Sequence, residues 1–192
     1  DTNYLVSVYI NIYPQQHDRK IYVVGLSAID VSTGQNTVHK IQSSLTDENL
    51  WQDELFRLIH YYSPKETIFH MDEEIKLTKD DICNQFVINE VTLHSNLYTD
   101  SQFKKPSFQN DMLKKVFQPG YLEATEYLGF DCPEITLSYV YMIQFIHEHK
   151  LENLNNLPKP IIKSDSNKLI LSNNTIYQLY LIPNKEHENE KY

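Results

Sequence analysis

The chain has little glycine, and several loops that carry enzyme chemistry are absent. Its four glycines, Gly25, Gly34, Gly120 and Gly129, are scattered among 192 residues, so they cannot form a glycine-rich loop around a phosphate group. Neither a G-x-x-x-x-G-K-[ST] segment nor a G-x-S-x-G segment occurs. The sequence therefore lacks the usual signatures of ATP hydrolysis and of serine hydrolases.

Cysteine and long apolar runs are also scarce. Cys83 and Cys132 form neither a C-x-x-C metal motif nor a disulfide framework, and we expect two reduced thiols in an intracellular protein. No apolar run approaches the roughly 20 residues that a membrane-spanning helix needs, so no membrane partner is expected. The sequence starts at Asp1 without a leader, and we expect it to be part of a longer protein.

Positive charge is sparse and dispersed. The formal net charge is −9, and the longest basic clusters are the pairs Lys104-Lys105 and Lys114-Lys115. Because neutralising nucleic-acid phosphates takes clustered Lys and Arg, this segment is expected to bind nucleic acid poorly by itself.

The first half of the chain predicts a mixed α/β fold. The segments "YLVSVYINIY", "IYVVGLSAIDV" and "NTVHKIQ" read as three antiparallel strands. A helix follows, with Thr46 as predicted N-cap; its apolar stripe consists of Trp51, Leu55, Leu58, Ile59 and Tyr62. "ETIFHM" then predicts a strand, "TKDDICNQ" a helical turn and "FVINEVTL" another strand. This order is typical of a ribonuclease H-like mixed sheet flanked by helices.

The second half predicts helices and a final apolar segment. "QNDMLKKVF" predicts a short helix, and a long helix is expected over Pro133–Lys150. Asp131 is its predicted N-cap and pairs with Glu134 in the spacing of a capping box. "KLILSNNTIYQLYLI" predicts either a hairpin around Asn173-Asn174 or a strand followed by a helix that begins near Thr175.

The acidic and histidine side chains show no recognisable metal-binding spacing, but they allow one enzymatic alternative. His147 and His149 lie about 200° apart around a helix and cannot bind one ion together, and the group formed by His70, Asp72 and the two glutamates after it is expected to be surface polar residues. The serious enzymatic alternative is a metal-dependent nuclease of the ribonuclease H type, which would use Asp30, Glu54 and a further carboxylate. We favour Asp30 as a residue that organises the turn after the second strand, with Ser32 as a second candidate for bonds to the turn amides.

Several segments together resemble the MutS family of DNA mismatch repair proteins. "GLSAIDVSTG" is similar to the "G-L-A-x-[VI]-D-x-[ST]-T-G" hairpin of the MutS connector domain, and "SPKETI" is similar to its "x-P-x-E-[IV]-[IL]" step. "FQNDMLKKVF" and "EYL" resemble the end of the connector in MutS-like proteins of giant viruses and octocoral mitochondria. The final apolar segment resembles the "L-D-x-x-T-x-x-[NQ]-L-E-[IL]" entry to the core domain, although Ser172 replaces its Asp and Tyr180 its Glu. The positions that match family motifs, to which we assign structural roles, are Gly25, Asp30, Ser32, Thr33, Gly34, Pro64, Glu66, Thr175, Gln178 and Leu179.

The resemblance implies a fragment with two parts and no catalytic, cofactor or metal site of its own. Residues 1–130 would form the connector, and residues 131–192 the start of the lever and core domain. The implied function is non-catalytic: the connector relays rearrangement between the mismatch-binding and ATPase ends of the parent protein, which would use ATP and Mg²⁺, and it could dock a MutL-like or nuclease partner. Mismatched DNA would be bound through other domains, inside cells at sites of DNA replication. A generic protein-binding domain without a repair role is a third interpretation.

Overall fold

Most of the chain folds around one six-stranded sheet. The structure, a computed structural model, describes residues 3–17, 19–44, 46–118, 120, 122–149 and 157–163. The strands are β1 (Tyr4–Pro14), β2 (Lys20–Asp30), β3 (Asn36–Gln42), β4 (Glu66–Met71), β5 (Leu93–Ser95) and β6 (Ile161–Lys163). The helices are α1 (Leu50–Tyr62), α2 (Lys79–Phe86), α3 (Pro106–Val116), α4 (Ala124–Leu128) and α5 (Pro133–Glu148), with short 3-10 helices at Glu90–Thr92 and Ser101–Lys104.

The sheet is mixed, with the order β5-β4-β1-β2-β3-β6. β1, β2 and β3 form an antiparallel meander, whereas β4 is parallel to β1, β5 is parallel to β4 and β6 is parallel to β3. The predicted succession of three antiparallel strands, a helix and a further strand is thereby confirmed, and so is the α/β class.

One face of the sheet packs on α1 and α2. Alternate residues of β1 and β2 point to this face, because successive side chains of a strand point to opposite sides. The apolar stripe predicted for α1 is buried against them, and the Trp51 ring stacks on Tyr22 with 5.3 Å between centroids. Trp51 is therefore a core residue, as expected. The cluster on this face contains Val6, Val8, Ile10, Val24, Leu26, Ala28, Trp51, Leu55, Phe56, Leu58, Ile59, Phe69, Ile82 and Phe86.

The opposite face packs on α5, with α3 behind it. Twelve of the 16 residues of α5 are buried, so it lies in the core rather than on the surface. Ser27 and Ser138 bring their hydroxyl oxygens to 2.7 Å of each other across the interface between β2 and α5. The boundary predicted between residues 130 and 131 falls just before this helix, and it stays a prediction.

Two predicted details of the first half of the chain are wrong, because local hydrogen bonds compete with them. Thr46 does not cap α1: the Asp47 amide donates to Ser44 Oγ in a separate turn, and the helix begins at Leu50. The segment predicted as one strand, "FVINEVTL", instead ends α2, forms a 3-10 turn that Asn89 caps, and leaves only Leu93–Ser95 as β5.

The start of α5 also differs from the prediction. Its N-cap is Cys132 rather than Asp131, and no side chain caps the helix. Glu134 forms no capping box, because its Oε1 accepts hydrogen bonds from Asn11 Nδ2 at 2.9 Å and from the Tyr13 hydroxyl at 2.6 Å. No helix in the described ranges is long and apolar enough to cross a membrane.

Candidate functional site

Asp30 organises the turn between β2 and β3. Its Oδ1 accepts hydrogen bonds from the Ser32 amide at 3.0 Å and from the Asn3 amide at 3.3 Å, and its Oδ2 accepts from the Thr33 hydroxyl at 3.0 Å. The Gly34 amide donates to the Asp30 carbonyl oxygen, and Gly34 has a φ of 75°, which glycine adopts without steric cost. Ser32 takes part through its backbone amide.

These bonds favour the charged form of the Asp30 carboxyl. Desolvation by itself acts to raise the pKa of Asp30, but the hydrogen bonds from Ser32, Thr33 and Asn3 outweigh it and hold the pKa below its ordinary value. Asp30 is thus an ionised carboxylate with both oxygens engaged by donors of its own turn.

The path of α1 separates Glu54 from Asp30. α1 begins with Trp51 stacked on Tyr22, near the start of β2, and ends with Tyr62 against Tyr4, which is paired with Asp30. Glu54 precedes Tyr62 by two helical turns, about 12 Å at a rise of 1.5 Å per residue. A two-metal site needs carboxylates around ions only about 4 Å apart, so this spacing along α1 does not favour a shared site for Asp30 and Glu54.

Gly25 lies where α5 approaches the sheet most closely. A Cβ on Gly25 would overlap the carbonyl group of Glu134 and come within 2.5 Å of the Ile135 amide nitrogen. The glycine therefore permits a close contact between the sheet and the first turn of α5.

The second family motif lies where α1 passes into β4. Ser63, which ends α1, has a φ of 45° and donates its amide to Ile59; Pro64 follows and is half-buried. Glu66 begins β4, and its Oε2 lies 2.7 Å from Nε2 of His94 on β5. This part of the motif therefore links the neighbouring parallel strands β4 and β5.

A buried polar network connects the hairpin turn to α5 and to the chain before β6. Asn36 Nδ2 donates to the carbonyl oxygens of Gly34 and Pro158, each at 3.0 Å, and its Oδ1 accepts from the Tyr139 hydroxyl at 2.9 Å. Tyr139 and Asn36 are both buried. Three parts of the chain that are distant in sequence thus meet on one amide side chain.

A cleft of about 490 Å³ opens beside the middle of β1 and the carboxyl ends of β4 and β5, and the sequence did not indicate it. The rings of Tyr9, His70, Tyr98 and Tyr141 line it. His70 stacks on Tyr141 at 3.8 Å between centroids and lies nearly parallel to Tyr98 at 5.7 Å. Ligand sites in sheets of this kind commonly lie beyond the carboxyl ends of parallel strands.

His70 is buried, which corrects the prediction that it is a surface residue. It is 3% exposed, and burial lowers its pKa to about 4, so the ring is neutral near pH 7. The Tyr98 amide donates to its Nε2 at 3.0 Å. The ring hydrogen is therefore on Nδ1, which is buried and has no hydrogen-bond partner among the described residues. A signal was available: in "ETIFHM" His70 shares a face with the apolar Ile68.

The tyrosines of the cleft are held protonated. Burial raises the pKa of Tyr141 to about 12, and burial with nearby negative groups raises the pKa of Tyr9 above its usual range. Among the described residues no group of three His, Cys, Asp or Glu side chains has the geometry of a metal site. Thr175, Gln178 and Leu179 lie outside the described residues.

Comparisons with known proteins agree with the motifs. The chain is 32% identical, over 206 aligned positions and 95% of its length, to a DNA mismatch repair protein of Acanthamoeba polyphaga mimivirus that is named a MutS homolog. This similarity supports a MutS-like family. The chain spans 18% of that MutS homolog. No family model matches the chain.

Proposed function

We propose that this chain is the connector of a MutS-like DNA mismatch repair protein. It relays conformational change between a mismatch-binding part and an ATPase part and performs no chemistry of its own. The observation that carries the proposal is the similarity to the mimivirus MutS homolog over almost the whole chain. The strand order β3-β2-β1-β4-β5 with a helix on each face also suits the ribonuclease H-like fold of a connector.

The packing suits a part that moves as a rigid body. Both faces of the sheet are covered, and α5 contacts β2 without space for even one methyl group at Gly25. Close-packed interiors transmit displacement because they deform little. The unit proposed to move as one extends at least to Lys163, because β6 pairs with β3 and Pro158 bonds to Asn36. Residues 164–192 would then lead into the core domain.

The parent protein would supply the rest of the reaction. In this proposal its other domains bind mismatched DNA and hold ATP with Mg²⁺, and it acts inside cells at sites of DNA replication. A MutL-like protein or a nuclease could act as its partner. The acidic surface of this chain, with a net charge of −9, suits a module that is kept away from the DNA backbone.

The test uses the parent protein that contains this chain. One variant, Tyr139→Phe, removes the hydrogen bond between α5 and the Asn36 side chain. The control variant is Glu90→Gln, at an exposed position. We expect mismatch-stimulated ATP hydrolysis to fall several-fold with Tyr139→Phe, while basal hydrolysis and mismatch binding are unchanged. Equal stimulation in both variants, despite an altered α5 contact, would contradict a relay through this module.

A separate assay addresses the nuclease alternative. The 192-residue chain is incubated with Mg²⁺ or Mn²⁺ and either duplex DNA or an RNA–DNA hybrid. We expect no cleavage above that given by Asp30→Asn protein. Metal-dependent cleavage that Asp30→Asn abolishes would replace the proposal with the nuclease.

A further inference from the structure

We propose that the cleft beside His70 binds the cationic side chain of a basic peptide segment, an arginine above all, from a protein partner. The cleft is defined by Tyr9, His70, Tyr98 and Tyr141 with the charged residues around its mouth. Its volume of about 490 Å³ lies in the range of roughly 300 to 1,000 Å³ that is usual for binding pockets. Such binding does not require the connector role proposed above.

The charge around the cleft favours a cation. Three carboxylates line it, those of Asp72, Glu73 and Asp100, against two ammonium groups, those of Lys76 and Lys104. Because His70 is neutral, one net negative charge remains. The acidity of the whole chain would also attract a basic partner over the distance of a Debye length.

The aromatic lining favours the same class of ligand. Tyrosine rings attract cations placed over their faces, and the attraction is stronger where water is partly excluded. Arginine is suited to such a site because its flat guanidinium group stacks on rings and also donates to carboxylates. Tyr9 and Tyr141 are buried at the base of the cleft, whereas Tyr98 is half-buried at its mouth. Tyr98 and the carboxylates around it therefore supply both kinds of contact.

His70 supplies a second, independent indication of a ligand. Its Nδ1–H is buried and has no acceptor in the described part of the chain, although buried polar groups are nearly always hydrogen-bonded. A peptide segment brings carbonyl oxygens along with its side chains. One of these, delivered into the cleft, would give the His70 donor its partner.

An internal lysine already occupies part of the cleft mouth. Lys104 Nζ lies 3.8 Å from Asp72 Oδ2, and Lys76 Nζ donates to the backbone oxygen of Glu73 at 2.6 Å. Lys104 is therefore a competitor for the carboxylate that an incoming arginine would use. Removing Lys104 should strengthen binding, whereas removing Asp72 should weaken it.

The experiment titrates the ¹⁵N-labelled 192-residue chain with the peptide acetyl-Gly-Arg-Gly-amide and follows amide chemical shifts. The matched control peptide has citrulline, a neutral isostere, in place of arginine. We expect shifts around Tyr98 and Ser101 with the arginine peptide and weaker binding, by about threefold or more, with the citrulline peptide.

Protein variants give opposite expected outcomes. Asp72→Asn should weaken binding about threefold and Lys104→Gln should strengthen it by a similar factor. Glu90→Gln, which removes one exposed charge at a different cavity, should leave binding unchanged. If Asp72→Asn protein is unfolded, Glu73→Gln on the exposed rim takes its place.

Four results would overturn the proposal. The first two are equal binding of the citrulline peptide and equal weakening by Glu90→Gln and Asp72→Asn. The third is weaker binding after Lys104→Gln. The fourth is the absence of shifts up to about 10 mM peptide, which would place the dissociation constant above the range of a specific contact. None of these measurements involves ATP or DNA. Failure here is therefore distinguishable from failure of the connector role.

Discussion

The backbone of Glu134 lies directly against Gly25, so that a single added methyl group on the glycine would overlap the glutamate carbonyl. The obstacle is backbone at the first turn of a buried helix, which cannot rotate away as a side chain would. The first family motif begins with this glycine. Its lack of a side chain fixes how far α5 stands from the sheet.

Gly25→Ala should therefore destabilise the fold by about 3 kcal/mol, at the upper end of the cost of overpacking a core. The measurement is urea unfolding followed by far-UV circular dichroism. Gly120→Ala is the matched control: Gly120 has a φ of 69° and nothing within 4 Å of an added Cβ, so only the backbone cost of about 1 kcal/mol is expected. Equal losses for the two variants would contradict the close approach of α5.

Asp30 should contribute stability that depends on pH. Its folded-state pKa lies below the ordinary value, so its contribution is present above about pH 4 and is lost as pH falls through the folded-state pKa. Asp30→Asn should cost about 1 kcal/mol at pH 7, and the difference from the wild type should shrink in acid. Unfolding curves from pH 7 to pH 3 measure it. Thr33→Val, which removes one donor, should give a smaller loss; a difference that persists unchanged at pH 3 would be contrary evidence.

His70 should make the protein less stable in mild acid. Its pKa is about 4 in the folded chain and about 6.5 when unfolded. Between these values the unfolded state binds more protons, so the free energy of unfolding falls as pH falls from 6.5 to 4. The full contribution is on the order of 3 kcal/mol at about 1.4 kcal/mol per unit.

The variant His70→Gln keeps an acceptor for the Tyr98 amide and should flatten this dependence. The exposed His147 gives the control, His147→Gln, which should leave the slope unchanged. Urea midpoints at several pH values between 4 and 7 provide the comparison. A slope that His70→Gln leaves intact would assign the acid sensitivity to other groups.

The network on Asn36 should be cooperative. Tyr139→Phe removes the donor to Asn36 Oδ1 and leaves a buried acceptor, at a cost of about 1 to 3 kcal/mol. Asn36→Ala removes all three bonds and should cost more. The double variant should lose less stability than the sum of the losses of the two single variants, because the two residues share one hydrogen bond. Chemical unfolding of the four proteins completes this cycle, and strict additivity would argue against the bond.

The strands and long helices were predictable because their apolar periodicity agrees with their packing. β1 to β3, α1, β4 and α5 follow directly from alternation and from the helical stripe. Asp30 was also predictable as a turn residue, since a short carboxylate followed by Ser32 and Thr33 can bond to local donors. In these segments local preference and tertiary structure point the same way.

The features that were missed depend on contacts distant in sequence. Glu134 resembles a capping residue, yet it bonds to Asn11 and Tyr13 on β1. β6 has only three residues, and no pattern in "IIK" shows that it pairs with β3. The cleft is formed by rings from β1, β4, α5 and the loop after β5, and only the folded chain brings them together. α2 is different: its capping box of Thr78 and Asp81 was readable in "TKDD" and warranted a full helix.

Because β6 pairs with β3, one edge of β3 is without its neighbour until late in synthesis. Thr37 leaves the ribosome early, whereas its neighbour Ile161 emerges only after almost every other described residue. During that interval the outer edge of β3 has unpaired amide and carbonyl groups, which can form hydrogen bonds with a strand of another chain. A growing chain thus has an exposed strand edge that β6 later covers at Thr37–His39. Translation that stalls before Ile161 leaves a product prone to self-association.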